Sequence, residues 1–142
     1  MPKSCLLFVA LSFASACLAQ TSAQSSYQNL VKDAKTRIKE LDVNQLKALQ
    51  ASGEKFVLID VREDNEWDAG HAKDAVHLSR GTIERDIEPK MPQKDAKLVL
   101  YCHSGGRSAL AADSLMKMGY TNVFSLAGGF SAYKSASLPV EK

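Results

Sequence analysis

The sequence has little cysteine, and its cysteines are not spaced as metal ligands. Only three cysteines occur among 142 residues, at positions 5, 17 and 102, and the three histidines are far apart along the chain. Structural zinc sites need closely spaced Cys or His pairs, which are missing here. We therefore expect no metal ion and no other bound cofactor.

The sequence also lacks an excess of charge of one sign. Eighteen Lys and Arg residues against sixteen Asp and Glu residues give a formal net charge of +2, and the lysines are scattered among acidic residues. Nucleic-acid-binding domains concentrate positive charge, so we expect no nucleic-acid partner. A composition of 45% apolar and 24% charged residues is typical of a globular protein. The length fits one domain.

A long hydrophobic run is missing as well. The uncharged stretch from Leu6 to Ala19 follows Lys3 and is shorter than the roughly 20 residues of a membrane-spanning helix. A positive start, an apolar centre and a small-residue exit are typical of a secretory signal peptide. We expect cleavage after Ala19 and a periplasmic or secreted protein. In the alternative, Cys17 becomes a lipid-modified N-terminus that anchors the protein to a membrane.

Export would leave one cysteine. Cys5 and Cys17 belong to the predicted signal peptide, residues 1–19, so Cys102 stays alone in the mature chain. Exported proteins normally use cysteines in disulfide pairs. A single cysteine is free for chemistry with another molecule. We expect a linker and helix over residues 20–36 and the folded domain over 37–142.

Short apolar runs alternate with helical patterns along the chain, without internal repeats. The apolar runs predict strands at 56–59, 75–78, 98–101 and 123–126, and helices are predicted at 28–41, from Asp42 to Gly53, and at 63–69, 81–88, 107–118 and 129–135. This alternation predicts a parallel sheet covered by helices on both faces. Binding sites in such sheets form beyond the carboxyl ends of strands, where Asp60 and Cys102 both lie.

The segment CHSGGRS at residues 102–108 joins a predicted strand to a predicted helix. Successive backbone N–H groups and a helix N-terminus stabilise an anion in such a loop, and the thiolate is the reactive form of cysteine. Cys102 could instead be a buried packing residue. The two glycines before the helix favour a reactive cysteine, since they weaken a helix and make sense where the backbone curls tightly.

Three segments in order resemble the single-domain rhodanese family of sulfurtransferases. They are LIDVR at 58–62 with Glu66, Gly70 and His71, then CHSGGRS at 102–108, then LAGGF at 126–130. The resemblance implies a rhodanese-like α/β fold with a five-stranded parallel sheet. It also implies a strand at 38–41, where periodicity alone predicts helix.

The resemblance implies covalent sulfur transfer. Cys102 would take a sulfane sulfur from thiosulfate or a persulfide and pass it to cyanide, a small thiol or a protein thiol. The predicted loop and substrate-binding residues are His103, Ser104, Gly105, Gly106, Arg107 and Arg80. Asp60, Arg62, Glu66 and His71 are predicted to support the site, and we expect Arg107 to hold the loop through Asp60 or Glu66.

Two other functions stay open. A rhodanese-like module with little turnover could carry sulfur to one partner. A phosphatase or arsenate reductase is disfavoured because only four residues lie between Cys102 and Arg107, whereas the cysteine loops of those enzymes hold five. The shorter loop makes a smaller ring of N–H donors, which suits one sulfur atom better than a tetrahedral oxyanion.

Overall fold

The computed structural model describes residues 24–142, so the predicted signal peptide and its cleavage site lie outside the described residues. The helices are α1 (Ser26–Lys35), α2 (Val43–Ser52), α3 (Asp64–Asp68), α4 (Ile83–Lys90), α5 (Gly106–Lys117) and α6 (Gly129–Ser135). The strands are β1 (Lys39–Leu41), β2 (Val57–Asp60), β3 (His71–Ala72), β4 (Val76–His77), β5 (Leu98–Tyr101), β6 (Val123–Leu126) and β7 (Val140–Glu141). No helix within residues 24–142 is long and apolar enough to cross a bilayer.

The main sheet has five parallel strands in the order β1-β6-β5-β2-β4. Apolar clusters lie on both faces. Residues of α4 and α5 pack on one face, and residues of α2 and α6 pack on the other. The predicted fold class, a five-stranded parallel sheet flanked by helices on both faces, is therefore confirmed. All four residues of β5 are buried at the middle of the sheet, as expected for a strand covered on both faces.

The periodicity-based helix at 28–41 is wrong at both ends. The helix starts earlier because Ser25 and Gln28 form a reciprocal capping box. It ends at Lys35, and Lys39, Glu40 and Leu41 pair with β6 as the strand that the family resemblance implied. A three-residue strand is too short to show its own alternation, so its pairing partner decides the conformation.

A second, two-stranded sheet was not predicted. His71 pairs with Glu141 and Ala72 with Val140 in antiparallel register, which ties the chain end to the segment after α3. Each strand has two residues, so no sequence pattern could identify it. The predicted helix at 81–88 is instead Ile83–Lys90 and contains Pro89 as its penultimate residue, where the missing N–H removes one hydrogen bond from the last turn.

The helix α1 packs along α5 and changes the surroundings of Asp113. Asp113 on α5 is buried, although Lys117, four residues further along the helix, donates to its carboxylate at 2.8 Å. Arg37, just after α1, donates two hydrogen bonds of 2.8 and 3.0 Å to its carboxylate. Ala34 is buried in the same contact. The first helix is therefore attached firmly to the helix that follows the cysteine loop.

Candidate active site

Cys102 lies directly after β5, at the carboxyl end of the central strand. Its side chain is 1% exposed, and its face of the sheet is the one covered by α4 and α5. The sulfur is therefore almost withdrawn from water, which disfavours the ionised form unless hydrogen-bond donors compensate.

The loop after Cys102 supplies a backbone donor. The N–H of Gly105 donates to the sulfur at 3.1 Å. Gly105 has φ +105°, a conformation that other residues adopt only with strain. It also lies close to the Leu126 carbonyl, which an added Cβ would meet at 3.4 Å. The chain needs glycine here to turn the N–H group toward the sulfur.

Two buried hydroxyl groups extend this donor set beyond the residues predicted from sequence. The Ser108 Oγ is 3.6 Å from the Cys102 sulfur and 2.8 Å from the Ser125 Oγ. Both serines are fully buried. If Ser108 donates to the sulfur, its oxygen can accept a hydrogen bond from Ser125. Ser108 belongs to the cysteine motif, but Ser125 is on β6 and no signal near the motif points to it.

These donors decide the acidity of the thiol. Burial alone would raise the pKa of Cys102. Hydrogen bonds to the sulfur lower the pKa again; they come from the N–H and hydroxyl of Ser108 and from the N–H groups of Gly105 and Ser104. The resulting pKa lies below the ordinary value for cysteine. The thiolate therefore becomes a larger fraction of the cysteine near neutral pH.

The last helix holds the loop from the other side. The N–H of Phe130 donates to the Cys102 carbonyl at 2.7 Å, and the N–H of Ser131 donates to the His103 carbonyl at 3.1 Å. Gly129 has φ +54°, and a Cβ there would collide with both of these carbonyl groups. The GG pair that opens α6 is thus required for close approach to the cysteine loop.

Arg107 is bound by a carboxylate from α3. Its two terminal nitrogens donate to Glu66 at 2.7 and 2.9 Å, while Asp60, the other predicted partner, binds Arg62. The Arg107 guanidinium lowers the pKa of Glu66 to about 2, partly offset by burial. The paired geometry of this ion pair fixes the side chain of Arg107.

Asp60 and Arg62 form a buried pair behind the loop. Arg62 donates to both Asp60 oxygens at 2.7–3.0 Å and to the Gly70 carbonyl at 2.8 Å. The Tyr101 hydroxyl donates to Asp60 at 2.6 Å and accepts from the Ala72 N–H at 3.0 Å. Burial and the neighbouring Asp60 raise the pKa of Tyr101. The network joins the ends of β2 and β5, so it positions the residue before the cysteine.

The histidines do not gather around the sulfur. The Nδ1 of His71 lies 3.1 Å from the Trp67 carbonyl oxygen. The His71 ring stacks on the Trp67 ring, with the two ring centroids 3.4 Å apart. His77 stacks on the same ring at 4.9 Å and contacts the Arg62 carbonyl at 2.9 Å. His103 is exposed on the loop, with its Nε2 3.4 Å from the Ser131 hydroxyl. Among these, His103 is the ring that a molecule approaching the loop can meet.

Arg80 forms an ion pair with Glu84 on α4. It donates to Glu84 at 2.8 Å and lies 3.5 Å from the Ser114 hydroxyl, which links the start of α4 to α5. Its predicted contact with an anionic sulfur donor stays a prediction. No group of three or more potential metal ligands occurs within residues 24–142.

The fold and site together define a class of protein: an α/β domain whose acidic cysteine is held by a short backbone loop at the centre of a parallel sheet. The family model of the rhodanese-like domain matches residues 42–136. The chain therefore belongs to the rhodanese-like family.

Individual relatives include two named sulfurtransferases and one protein described as a possible phosphatase. The chain is 32% identical over 101 residues to the thiosulfate sulfurtransferase GlpE of Vibrio cholerae, covering 71% of this chain and 92% of that one. A protein from Rhodopseudomonas palustris, described as a possible tyrosine phosphatase, is 33% identical with a TM-score of 0.74, covering 86% and 98% of the two chains. The polysulfide-sulfur transferase homodimer of Wolinella succinogenes is 26% identical with a TM-score of 0.69, covering 81% and 86%.

The hydroxyl pair leads to a first prediction. Ser108→Ala should raise the pKa of Cys102, because the thiolate loses a hydrogen bond to a charged group, which contributes about 1.5–3 kcal/mol. Ser125→Ala should raise the pKa by less, because it removes only the group that orients Ser108. The measurement is the rate of iodoacetamide alkylation against pH. Ser114→Ala on the same helix is the control, and an unchanged midpoint in Ser108→Ala would contradict the assigned donor.

The Glu66–Arg107 pair leads to a second prediction. Glu66→Gln should lower the free energy of unfolding at pH 7 by roughly 1–2 kcal/mol, the range for a hydrogen-bonded ion pair that is partly exposed. The folded-state pKa of Glu66 is lowered from 4.5 to about 2. Its contribution is therefore complete above pH 4.5 and is lost as pH falls through about 2.

Urea unfolding from pH 7 down to pH 2 measures this difference. The gap between wild type and Glu66→Gln should close at the acidic end. Glu88→Gln is the matched control because Glu88 forms an exposed pair with Lys94, and exposed pairs contribute little. A gap that does not change with pH would mean that the carboxylate charge is not what stabilises the loop.

Proposed function

We propose that this protein is a rhodanese-type sulfurtransferase that carries a sulfane sulfur on Cys102. The observation that supports this most directly is the buried, acidified sulfur in a four-residue loop, with the Gly105 N–H at 3.1 Å. Such a cradle can stabilise a thiolate and then the outer sulfur of a persulfide. Donors of this kind contribute about 3–4 kcal/mol each when they face charge that develops in a transition state.

The proposed reaction has two steps. The Cys102 thiolate attacks the outer sulfur of thiosulfate, the S–S bond of thiosulfate breaks, and sulfite leaves with the electron pair. A thiolate or cyanide then attacks the outer sulfur of the Cys102 persulfide, and the cysteine leaves as a thiolate. No general base is required because the nucleophile is already ionised, and the kinetics should be ping-pong.

The names of the relatives support thiosulfate or polysulfide as the sulfur donor. The acceptor that we propose is a small thiol, cyanide or a protein thiol. We also propose that the protein is exported, with cleavage after Ala19 or lipid attachment at Cys17. The sequence pattern of residues 1–19 is the support for export. A carrier that hands sulfur to one partner without sustained turnover is the nearest alternative. Multiple turnovers on thiosulfate separate the enzyme from the carrier.

A phosphatase is the second candidate, because the Rhodopseudomonas palustris relative is described as a possible tyrosine phosphatase. Two features of the loop disfavour it. Four residues separate Cys102 from Arg107, and Arg107 is held by Glu66. A cation that already binds a carboxylate has less charge to offer a phosphate group.

A third prediction tests the nucleophile. Cys102→Ser should keep its unfolding temperature within a few degrees and lose thiosulfate:cyanide sulfurtransferase activity to about 1% of wild type or less, because a serine hydroxyl is not ionised near neutral pH. The same samples are assayed with p-nitrophenyl phosphate. Retained sulfur transfer would remove Cys102 from the mechanism, and phosphate hydrolysis by wild type alone would favour the phosphatase.

A fourth prediction tests loop length. One glycine inserted between Gly105 and Gly106 should widen the donor ring and lower sulfur transfer at least about tenfold, because a displacement of about 1 Å can cost roughly a hundredfold in rate. Weak binding of phosphate or arsenate should appear. The control is one glycine inserted after Gly53, in the exposed turn that ends α2. Undiminished sulfur transfer in a folded variant would show that loop length does not select the chemistry.

A further inference from the structure

The helix α1 lies outside the part of the chain that the family model matches, yet it borders the cysteine loop. The Tyr27 ring and Val31 lie over Gly106, where an added Cβ would collide with the Tyr27 hydroxyl. Gly106 is not in a left-handed conformation, so a side chain at this position would have to displace the Tyr27 ring. The N-terminal end of α1 is thus at the same edge of the sheet as Cys102.

A groove of about 330 Å³ separates this end of α1 from the loop, near the lower end of small-molecule sites at roughly 300–1,000 Å³. Its lining includes Tyr27, Lys32 and Lys35 from the helix and Ser104 and Gly106 from the loop. The two loop residues flank Gly105, whose N–H binds the sulfur. A molecule in the groove therefore lies beside the cradle, and the space exceeds what a five-atom thiosulfate ion needs.

The charges that line the groove are positive. No carboxylate lines it, and nearby carboxylates already have partners, Glu40 with Lys35 at 2.8 Å and Asp33 with Arg37 at 2.8 Å. Within residues 24–142, Lys32 makes no ion pair, and its side chain is exposed. An anionic group entering the groove would thus meet an available ammonium group.

The helix that carries Lys32 is held in place. Arg37 binds Asp113 on α5 with two hydrogen bonds, and Ala34 is 1% exposed against the same helix. The capping box at Ser25 defines the first turn. The backbone that carries Lys32 and Tyr27 is therefore held at a fixed position relative to the loop.

We propose that this groove binds the carboxylate end of a small acidic thiol, which is the sulfur acceptor. Lys32 pairs with the carboxylate, the exposed Tyr27 ring packs against the carbon chain, and the thiolate end reaches the Cys102 persulfide past Ser104. The acceptor thiolate attacks the outer sulfur, the S–S bond to Cys102 breaks, and the products are the acceptor persulfide and the Cys102 thiolate. This inference rests on the proposed sulfurtransferase function.

The first test needs no sulfur transfer. Cys102 is alkylated with iodoacetate and with iodoacetamide, which share one reaction and differ in charge. Lys32→Gln should slow iodoacetate about twofold, the effect of one unit charge at roughly 8 Å in water, and leave iodoacetamide unchanged. Lys32→Glu should slow iodoacetate further. Lys47→Gln on α2, an exposed lysine on the opposite face of the sheet, is the control and should change neither rate.

The second test uses the Cys102 persulfide, which is formed with thiosulfate in the wild type and in each variant. The acceptors are 3-mercaptopropionate and the neutral 2-mercaptoethanol. Lys32→Gln should raise the KM for mercaptopropionate about 1.5- to fivefold, the range for an exposed ion pair, without changing kcat or the KM for mercaptoethanol. Tyr27→Ala should raise both KM values, because the aromatic ring contacts the carbon chain in either case.

The outcomes separate the two proposals. If thiosulfate forms no persulfide on Cys102, the sulfurtransferase function fails, and the alkylation pair still reports whether Lys32 attracts anions to the groove. If the persulfide forms but both Lys32 variants keep the wild-type ratio of KM values, the acceptor site is refuted while the function stands. An equal effect of Lys47→Gln would also refute it, because general surface charge would then explain the preference for acidic thiols.

Discussion

A cysteine sulfur that is buried at the end of the central strand, where only hydrogen-bond donors can favour its ionisation, is the constraint on which the rest of this structure depends. A thiolate that is 1% exposed loses nearly all its hydration, so it persists only where donors replace water. The Gly105 N–H and the Ser108 hydroxyl are the closest replacements. The loop must therefore keep a conformation in which its N–H groups converge on a single point.

The surrounding interactions hold that conformation from three directions. The start of α6 binds the carbonyl groups of Cys102 and His103, Glu66 holds Arg107, and Asp60 receives the Tyr101 hydroxyl beneath the loop. The three contacts come from α6, from α3 and from the end of β2. Breaking a buried pair such as Asp60–Arg62 generally costs more than its formation contributes, since one charge is left uncompensated. Loss of any one of these contacts is therefore expected to disturb the position of the cysteine loop.

The predictions that succeeded from sequence concern segments whose signals are local. The strands at 98–101 and 123–126 are correct to the residue, because the first is a continuous apolar run and the second is apolar except for Ser125. Asp42 caps α2 as predicted, with Gln45 completing the box. The strand at 38–41 needed the family resemblance, since helical periodicity continues through it. The strands at 71–72 and 140–141 were missed because two residues carry no periodic pattern.

The sequence by itself determined the alternation of strands and helices, the cysteine at a strand end and the glycines that let its loop curl, since these depend on residues close together in the chain. Only the tertiary structure decided which carboxylate holds Arg107, that Ser125 on β6 orients Ser108 on α5, and that α1 brings Lys32 to the loop. Those pairs are 41, 17 and more than 70 residues apart. Contacts at such separations depend on which strands lie side by side in the sheet, and no short stretch of sequence specifies that arrangement.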